Sequence, residues 1–134
     1  KMPEIQIKID CDVIHADGGT RTAAITGSYV ALHLALIHLR KEGALTCIPI
    51  LDQVAAVSCG IYQGRPILDL DYAEDSNAQA DANFVLTEKG RIVEIQATAE
   101  EVAFSAKDFS TMMALAKKGI KQLADLQKKA LTFD

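Results

Sequence analysis

The sequence predicts an α+β domain in which a mixed or antiparallel sheet packs with a long buried helix and a long C-terminal helix. Three observations predict it. Short segments rich in β-branched residues sit between turn signals, residues 22–39 run for 18 positions without a formal charge, and the end of the chain repeats its apolar residues at helical spacing. The 134 residues, 49% hydrophobic and 24% charged, suit one compact domain with a real core.

The first segment, Glu4 to Val13, sets Ile5, Ile7, Ile9, Cys11 and Val13 against Gln6, Lys8, Asp10 and Asp12, the period of a half-buried strand. It begins almost at Lys1, which is not an initiator methionine, so the expectation is a chain that is processed or part of something longer. Asp17-Gly18-Gly19 signals a turn before the uncharged run. That run is long enough to raise a membrane span. Thr26, Gly27, Ser28, His33 and His38 interrupt it, however, and the expectation is a soluble core helix, packed on most sides and ending near Arg40-Lys41-Glu42 before Gly43. Beyond Pro49, Val54–Tyr62 and Ile67–Tyr72 read as strands joined at Gln63-Gly64, and Asn83–Thr87 and Arg91–Thr98 as a second hairpin across Glu88-Lys89-Gly90. Ser105 followed three residues later by Asp108 resembles a capping box. The helix it starts places Phe109, Met112, Met113, Ala116, Ile120, Leu123 and Ala124 on one face, with Lys117, Lys118, Lys121, Lys128 and Lys129 elsewhere. The predicted order is β, α, ββ, ββ, α.

The formal charge of −4 is concentrated in one place. Between Pro66 and Glu88 there are six acids, Asp69, Asp71, Glu74, Asp75, Asp81 and Glu88, and no Lys or Arg; the remainder holds 12 acids against 14 bases. A mildly basic body with one acidic segment does not exclude a nucleic-acid substrate. Cys11, Cys47 and Cys59 are odd in number and irregularly spaced, which argues against a disulfide scaffold or a four-thiolate zinc site and for buried thiols in a reducing, cytoplasmic setting. His15, His33 and His38 have no metal-ligand spacing and read as packed or partly exposed imidazoles.

Two segments carry chemistry. Asp17-Gly18-Gly19-Thr20-Arg21-Thr22 leads a loop into a long helix, where unpaired N–H groups and the positive end of the helix dipole favour an anion. Arg21 would add a charged grip and Thr20 or Thr22 a hydroxyl; the plainer alternative is a tight turn with Thr20 as N-cap and Arg21 in solvent. Leu68-Asp69-Leu70-Asp71-Tyr72, followed by Glu74-Asp75 and Asp81, crowds carboxylates that stay ionised together most easily around a hard cation such as Mg²⁺. The alternative is a solvated acidic loop, and sharing one ion requires the loop between Asp75 and Asp81 to fold back.

Taken together, Asp10-Cys11-Asp12-Val13-Ile14, Ala16-Asp17-Gly18-Gly19-Thr20-Arg21-Thr22-Ala23, Val54-Ala55-Ala56-Val57-Ser58, Asp69-Leu70-Asp71-Tyr72-Ala73-Glu74-Asp75-Ser76 and Val93-Glu94-Ile95-Gln96 resemble the bacterial ribonuclease PH family, as does the final helix. The resemblance runs over practically all of residues 1–134 and implies the C-terminal portion of a single ribonuclease PH domain, the N-terminal part being absent. It departs from the usual pattern at His15, Ala97 and Glu101. It implies a phosphorolytic 3′ to 5′ exoribonuclease that trims the 3′ ends of transfer RNA precursors with inorganic phosphate as co-substrate, a nucleotidyltransferase releasing nucleoside diphosphates. By motif, Gly19, Thr20 and Arg21 would hold the phosphate, while Asp75 and Asp81 would act in acid catalysis or bind Mg²⁺ or another divalent cation. The resemblance further implies a hexameric ring of dimers in the cytoplasm, RNA as partner, and activity that depends on a complementary N-terminal piece. A noncatalytic RNA-binding ring subunit of the exosome type is the alternative.

Overall fold

The structure is a computed structural model and describes residues 5–100 and 102–132. Its elements in chain order are α1 (Thr20–Lys41), β1 (Val54–Tyr62), β2 (Arg65–Leu68), α2 (Tyr72–Asp75), β3 (Ala80–Thr87), β4 (Ile92–Ala99) and α3 (Ala106–Ala130). The four strands form one antiparallel sheet in the order β2-β1-β3-β4.

The sheet follows from its turns and its pairing. Gln63 and Gly64 both take positive φ (50° and 71°), the two-residue turn whose twist suits a hairpin, and so pair Tyr62 with Arg65. β1 and β3 pair along eight positions, from Val54 opposite Thr87 to Ile61 opposite Ala80. Alternation then sends Ala55, Val57, Cys59 and Ile61 of β1 to one face together with Ala80, Ala82, Phe84 and Leu86 of β3. Met112, Ala116 and Ile120 of α3 cover that face, with Phe109, Met113 and Leu123 partly buried around them. α3 starts where the sequence indicates: Ser105 caps it, and the Asp108 carboxylate accepts from the Ser105 N–H in return.

Beyond β2 the edge of β1 is open, and α1 and α3 close it. The Thr26 hydroxyl accepts from the Ala56 N–H and donates to the Ala56 carbonyl, while the Gln127 amide donates to the carbonyls of Val54 and Thr26. Each of these satisfies a backbone group that would otherwise be stranded on an unpaired edge.

Four expectations need correction. Residues 5–13 form no strand, because no neighbouring strand among the described residues offers a ladder, and Ile5, Ile7, Ile9 and Val13 stay exposed; Glu4 lies outside the described residues. α1 forms as a helix but is not the centre of the core. It is long and apolar enough by length and composition to cross a membrane, yet only Thr22 and Leu36 are buried, since it packs along one stripe against β1 and α3. The core lies instead between α3 and the sheet. The predicted strand Ile67–Tyr72 stops at Leu68, because Asp69 turns left-handed (φ 61°) and Asp71 caps α2. Of the thiols only Cys59 is buried; Cys11 lies in the unladdered segment and Cys47 in the loop before β1, both exposed.

Candidate functional site

The opposite face of the sheet is polar. By alternation it carries Ala56, Ser58 and Gly60 of β1, Asp81, Asn83 and Val85 of β3, and Glu94, Gln96 and Thr98 of β4. Ser58 lies opposite Asn83, and Gly60 opposite Asp81.

The Gly18-Gly19 loop meets this face at the start of α1. Gly18 runs so close to the Leu70–Asp71 backbone that a Cβ would fall 2.0 Å from the Leu70 carbonyl oxygen, so no side chain fits there. Gly19 is the N-cap in the left-handed conformation (φ 72°), which favours glycine. The Asp17 carboxylate accepts from the N–H groups of Gly18 (2.9 Å) and Tyr72 (2.7 Å), locking this loop to the start of α2. The N-cap is therefore Gly19, not Thr20, and no side chain occupies the first-turn N–H groups. The Thr20 hydroxyl donates to the Asp17 carbonyl and the Thr22 hydroxyl to the Gly19 carbonyl. The first intrahelical bond runs from the Ala23 N–H to the Gly19 carbonyl, so helix geometry leaves the N–H groups of Thr20, Arg21 and Thr22 without intrahelical acceptors. No acid stands in the first turn to neutralise the dipole.

The acids arrive from the other side. Asp71 and Glu74 form a capping box that fixes α2, and Asp75 ends it. Ser76 and Asn77 then donate back to the carbonyls of Tyr72 and Ala73, the chain reverses, and Ala80 enters β3 with Asp81 next. The loop does fold back. A cavity of about 150 Å³ is lined by Gly19, Thr20, Arg21, Ser58, Asp75, Asp81, Ala82 and Asn83, so all five residues singled out from sequence border one space. A larger apolar groove of about 420 Å³ lies beyond Gly19 between α1, α3 and β2, with Asp69 its one ionisable side chain.

Two electrostatic features mark the cavity. Burial, reinforced by the neighbouring Asp75 charge, pushes the Asp81 carboxyl above the usual carboxylate range. Arg21 is not free in solvent: its Nη2 donates to both carboxylate oxygens of Glu94 (2.8 and 3.1 Å), across to β4. Glu94 is missing from the sequence-derived site; the only signal for it was the Val93–Gln96 motif, which assigns it no role.

Among the described residues no group of three or more His, Cys, Asp or Glu side chains gathers as a complete metal cage. Two carboxylates in one cavity nevertheless fit a hard divalent cation that takes its other ligands from water and from phosphate oxygens, as Mg²⁺ does. Such a cation would relieve the repulsion between Asp75 and Asp81. The arrangement thus brings the start of α1 and two carboxylates to the border of one cavity.

Comparison with known proteins sets this geometry in context. Residues 52–119 match the profile of "3′ exoribonuclease family, domain 2". Over 131 residues the chain is 63% identical to ribonuclease PH of Rhodospirillum rubrum, covering 98% of this chain and 55% of that one. It is 61% identical over 128 residues to ribonuclease PH of Caulobacter vibrioides, covering 96% and 54%. The chain thus spans about half the length of the curated relatives it matches. The crystal structure of rice (Oryza sativa) Rrp46 superposes with a TM-score of 0.67 over 88% of this chain and 50% of that one, at 20% identity, a likeness of fold.

Proposed function

The chain belongs to the 3′ exoribonuclease family, and on that premise we propose that it is the C-terminal portion of a ribonuclease PH domain and carries the catalytic half of a phosphorolytic 3′ to 5′ exoribonuclease. The observation that carries this reading is the single cavity shared by Gly19, Thr20 and Arg21 with Asp75 and Asp81.

In phosphorolysis an oxygen of inorganic phosphate attacks the phosphorus of the terminal RNA phosphodiester. The bond to the 3′ oxygen of the preceding nucleotide breaks, that oxygen gains a proton, and the terminal nucleotide leaves as a nucleoside 5′-diphosphate. Both reactants are anions, so the site must hold them together. The N–H groups at the start of α1 and the guanidinium of Arg21 bind the attacking phosphate, with the dipole of a 22-residue helix behind them. Arg21 has donors beyond the Nη2 that Glu94 engages, so the ion pair aims the guanidinium without consuming it. Asp81, with its raised affinity for a proton, holds or delivers the proton that the leaving 3′ oxygen requires. In the alternative role, Asp75 and an ionised Asp81 would hold Mg²⁺ or a similar cation, which would supply positive charge to the phosphoryl oxygens and leave the proton to a donor such as water.

The rest of the molecule supports assembly. Ile5, Ile7, Ile9 and much of α1 expose apolar surface, the signature of a helix and a strand-like segment that pack against further protein. A complementary N-terminal piece is the occupant we assign to that surface, and a homo-oligomeric ring, hexameric in its full form, is the assembly. The substrate is RNA, with transfer RNA precursor 3′ ends the class, and the setting is cytoplasmic.

The test uses the full-length chain and an RNA carrying an extended 3′ end. Nucleoside diphosphates appear only when inorganic phosphate is added. Release of nucleoside monophosphates, or release unaffected by phosphate, overturns the reading. Mass spectrometry of the purified protein identifies whether an N-terminal fragment accompanies this one.

A further inference from the structure

The site contains one polar atom that the family motif leaves without a role. Ser58 sits in the middle of β1, 8% exposed, and its hydroxyl oxygen is the one buried side-chain polar atom without a hydrogen-bond partner among the described residues. Thr26, Gln53 and Gln127, by contrast, all find partners at the open edge of β1. A buried hydroxyl left unpaired destabilises a fold, and it is retained where a ligand completes it.

Its position says which ligand. Ser58 lines the same cavity as Gly19, Thr20 and Arg21, and a Cβ built on Gly19 would lie 3.4 Å from its hydroxyl oxygen. Neither Asp75 nor Asp81 accepts from it, although both line that cavity. Gly19, Thr20 and Arg21 at the start of α1 share the cavity with it, and their backbone donors call for an oxyanion. We infer that Ser58 is a binding residue whose hydroxyl donates to the attacking inorganic phosphate and forms the floor of the cradle that the Gly19-Thr20-Arg21 turn covers. The β1 strand thereby contributes to a site otherwise built from loops, and a rigid strand fixes the depth at which the phosphate sits. This inference rests on the phosphorolytic reading above.

The experiment compares wild type, Ser58→Ala and Ser58→Thr in the full-length chain. Two readouts apply: the phosphate dependence of nucleoside diphosphate release, and thermal unfolding with and without inorganic phosphate. Ser58→Ala should raise the KM for phosphate about 5- to 10-fold with kcat within a factor of two, in line with the loss of one hydrogen bond to a charged ligand. It should also unfold a few degrees higher than wild type without phosphate, because the unpaired hydroxyl is gone, and lose most of the phosphate-induced rise in Tm. Ser58→Thr keeps the hydroxyl and should keep the KM. An unchanged phosphate KM and an unchanged phosphate-induced rise in Tm for Ser58→Ala overturn the inference while leaving phosphorolysis standing. Wild-type protein whose product release ignores phosphate overturns the phosphorolytic reading itself. A Ser58→Ala protein destabilised equally with and without phosphate shows a purely structural hydroxyl and also overturns the inference.

Discussion

The two faces of β1 and β3 are built from alternate residues of the same strands and do opposite work. Ala55, Val57, Cys59 and Ile61 with Phe84 and Leu86 are sealed under α3, while Ser58 with Asp81 and Asn83 lines the cavity at the start of α1. One face is complete within this chain: every large side chain has an apolar neighbour, and burial holds the Cys59 thiol up to about 12. The other is incomplete. It holds a carboxyl pushed upward by burial and by its neighbour, an unpaired hydroxyl and a guanidinium held at its edge. The difference teaches that the sheet is rigid on one side so that it can carry unsatisfied groups on the other.

Substitutions on each face should therefore separate stability from turnover. Phe84→Ala, on the sealed face, should lower stability by about 3–5 kcal/mol, read by denaturant unfolding. Asp81→Asn should reduce turnover by about 10²- to 10⁴-fold while secondary structure stays native by circular dichroism. A Phe84→Ala protein that lost activity but no stability, or an Asp81→Asn protein that unfolded, would erase the distinction.

Arg21→Ala should raise the phosphate concentration needed for half-maximal activity about 10- to 100-fold, because a charged hydrogen-bond donor to the anion is lost. A pH experiment sharpens the contrast at smaller scale. The Asp81 carboxyl is raised in the folded state, so the native protein binds more protons than the unfolded chain just above the ordinary aspartate range. Its contribution to stability falls as pH rises through that window and stays low above it. Asp81→Asn should abolish that part of the decline and unfold slightly higher than wild type at neutral pH. The smallest effect is chemical: an alkylating reagent should label Cys11 and Cys47 in the native protein and reach Cys59 only after unfolding.

The helix side of the sealed face was legible in the spacing of Met112, Ala116, Ile120 and Ala124. β1 announced itself only as a strand of small and β-branched residues; it is buried along nearly its whole length, and which of its faces meets α3 emerges from its pairing with β3. Family motifs singled out Gly19, Thr20, Arg21, Asp75 and Asp81, but their meeting in space depends on the left-handed Asp69 and on the reversal after Asp75, which no local pattern announces. Ser58 escaped as a site residue because a serine in a strand of small residues looks like packing. α1 misled most: an uncharged helix reads as core, yet among the described residues it packs along one stripe and buries only Thr22 and Leu36.

The account centres on inorganic phosphate docking at the start of α1, within reach of Asp75 and Asp81. A crystal of the full-length protein soaked in tungstate, a tetrahedral oxyanion with a strong anomalous signal, tests this directly. The account predicts one anomalous peak in the cavity bounded by Gly19, Thr20, Arg21 and Ser58, and its disappearance in Arg21→Ala. A peak elsewhere on the molecule, with that cavity empty, would contradict it.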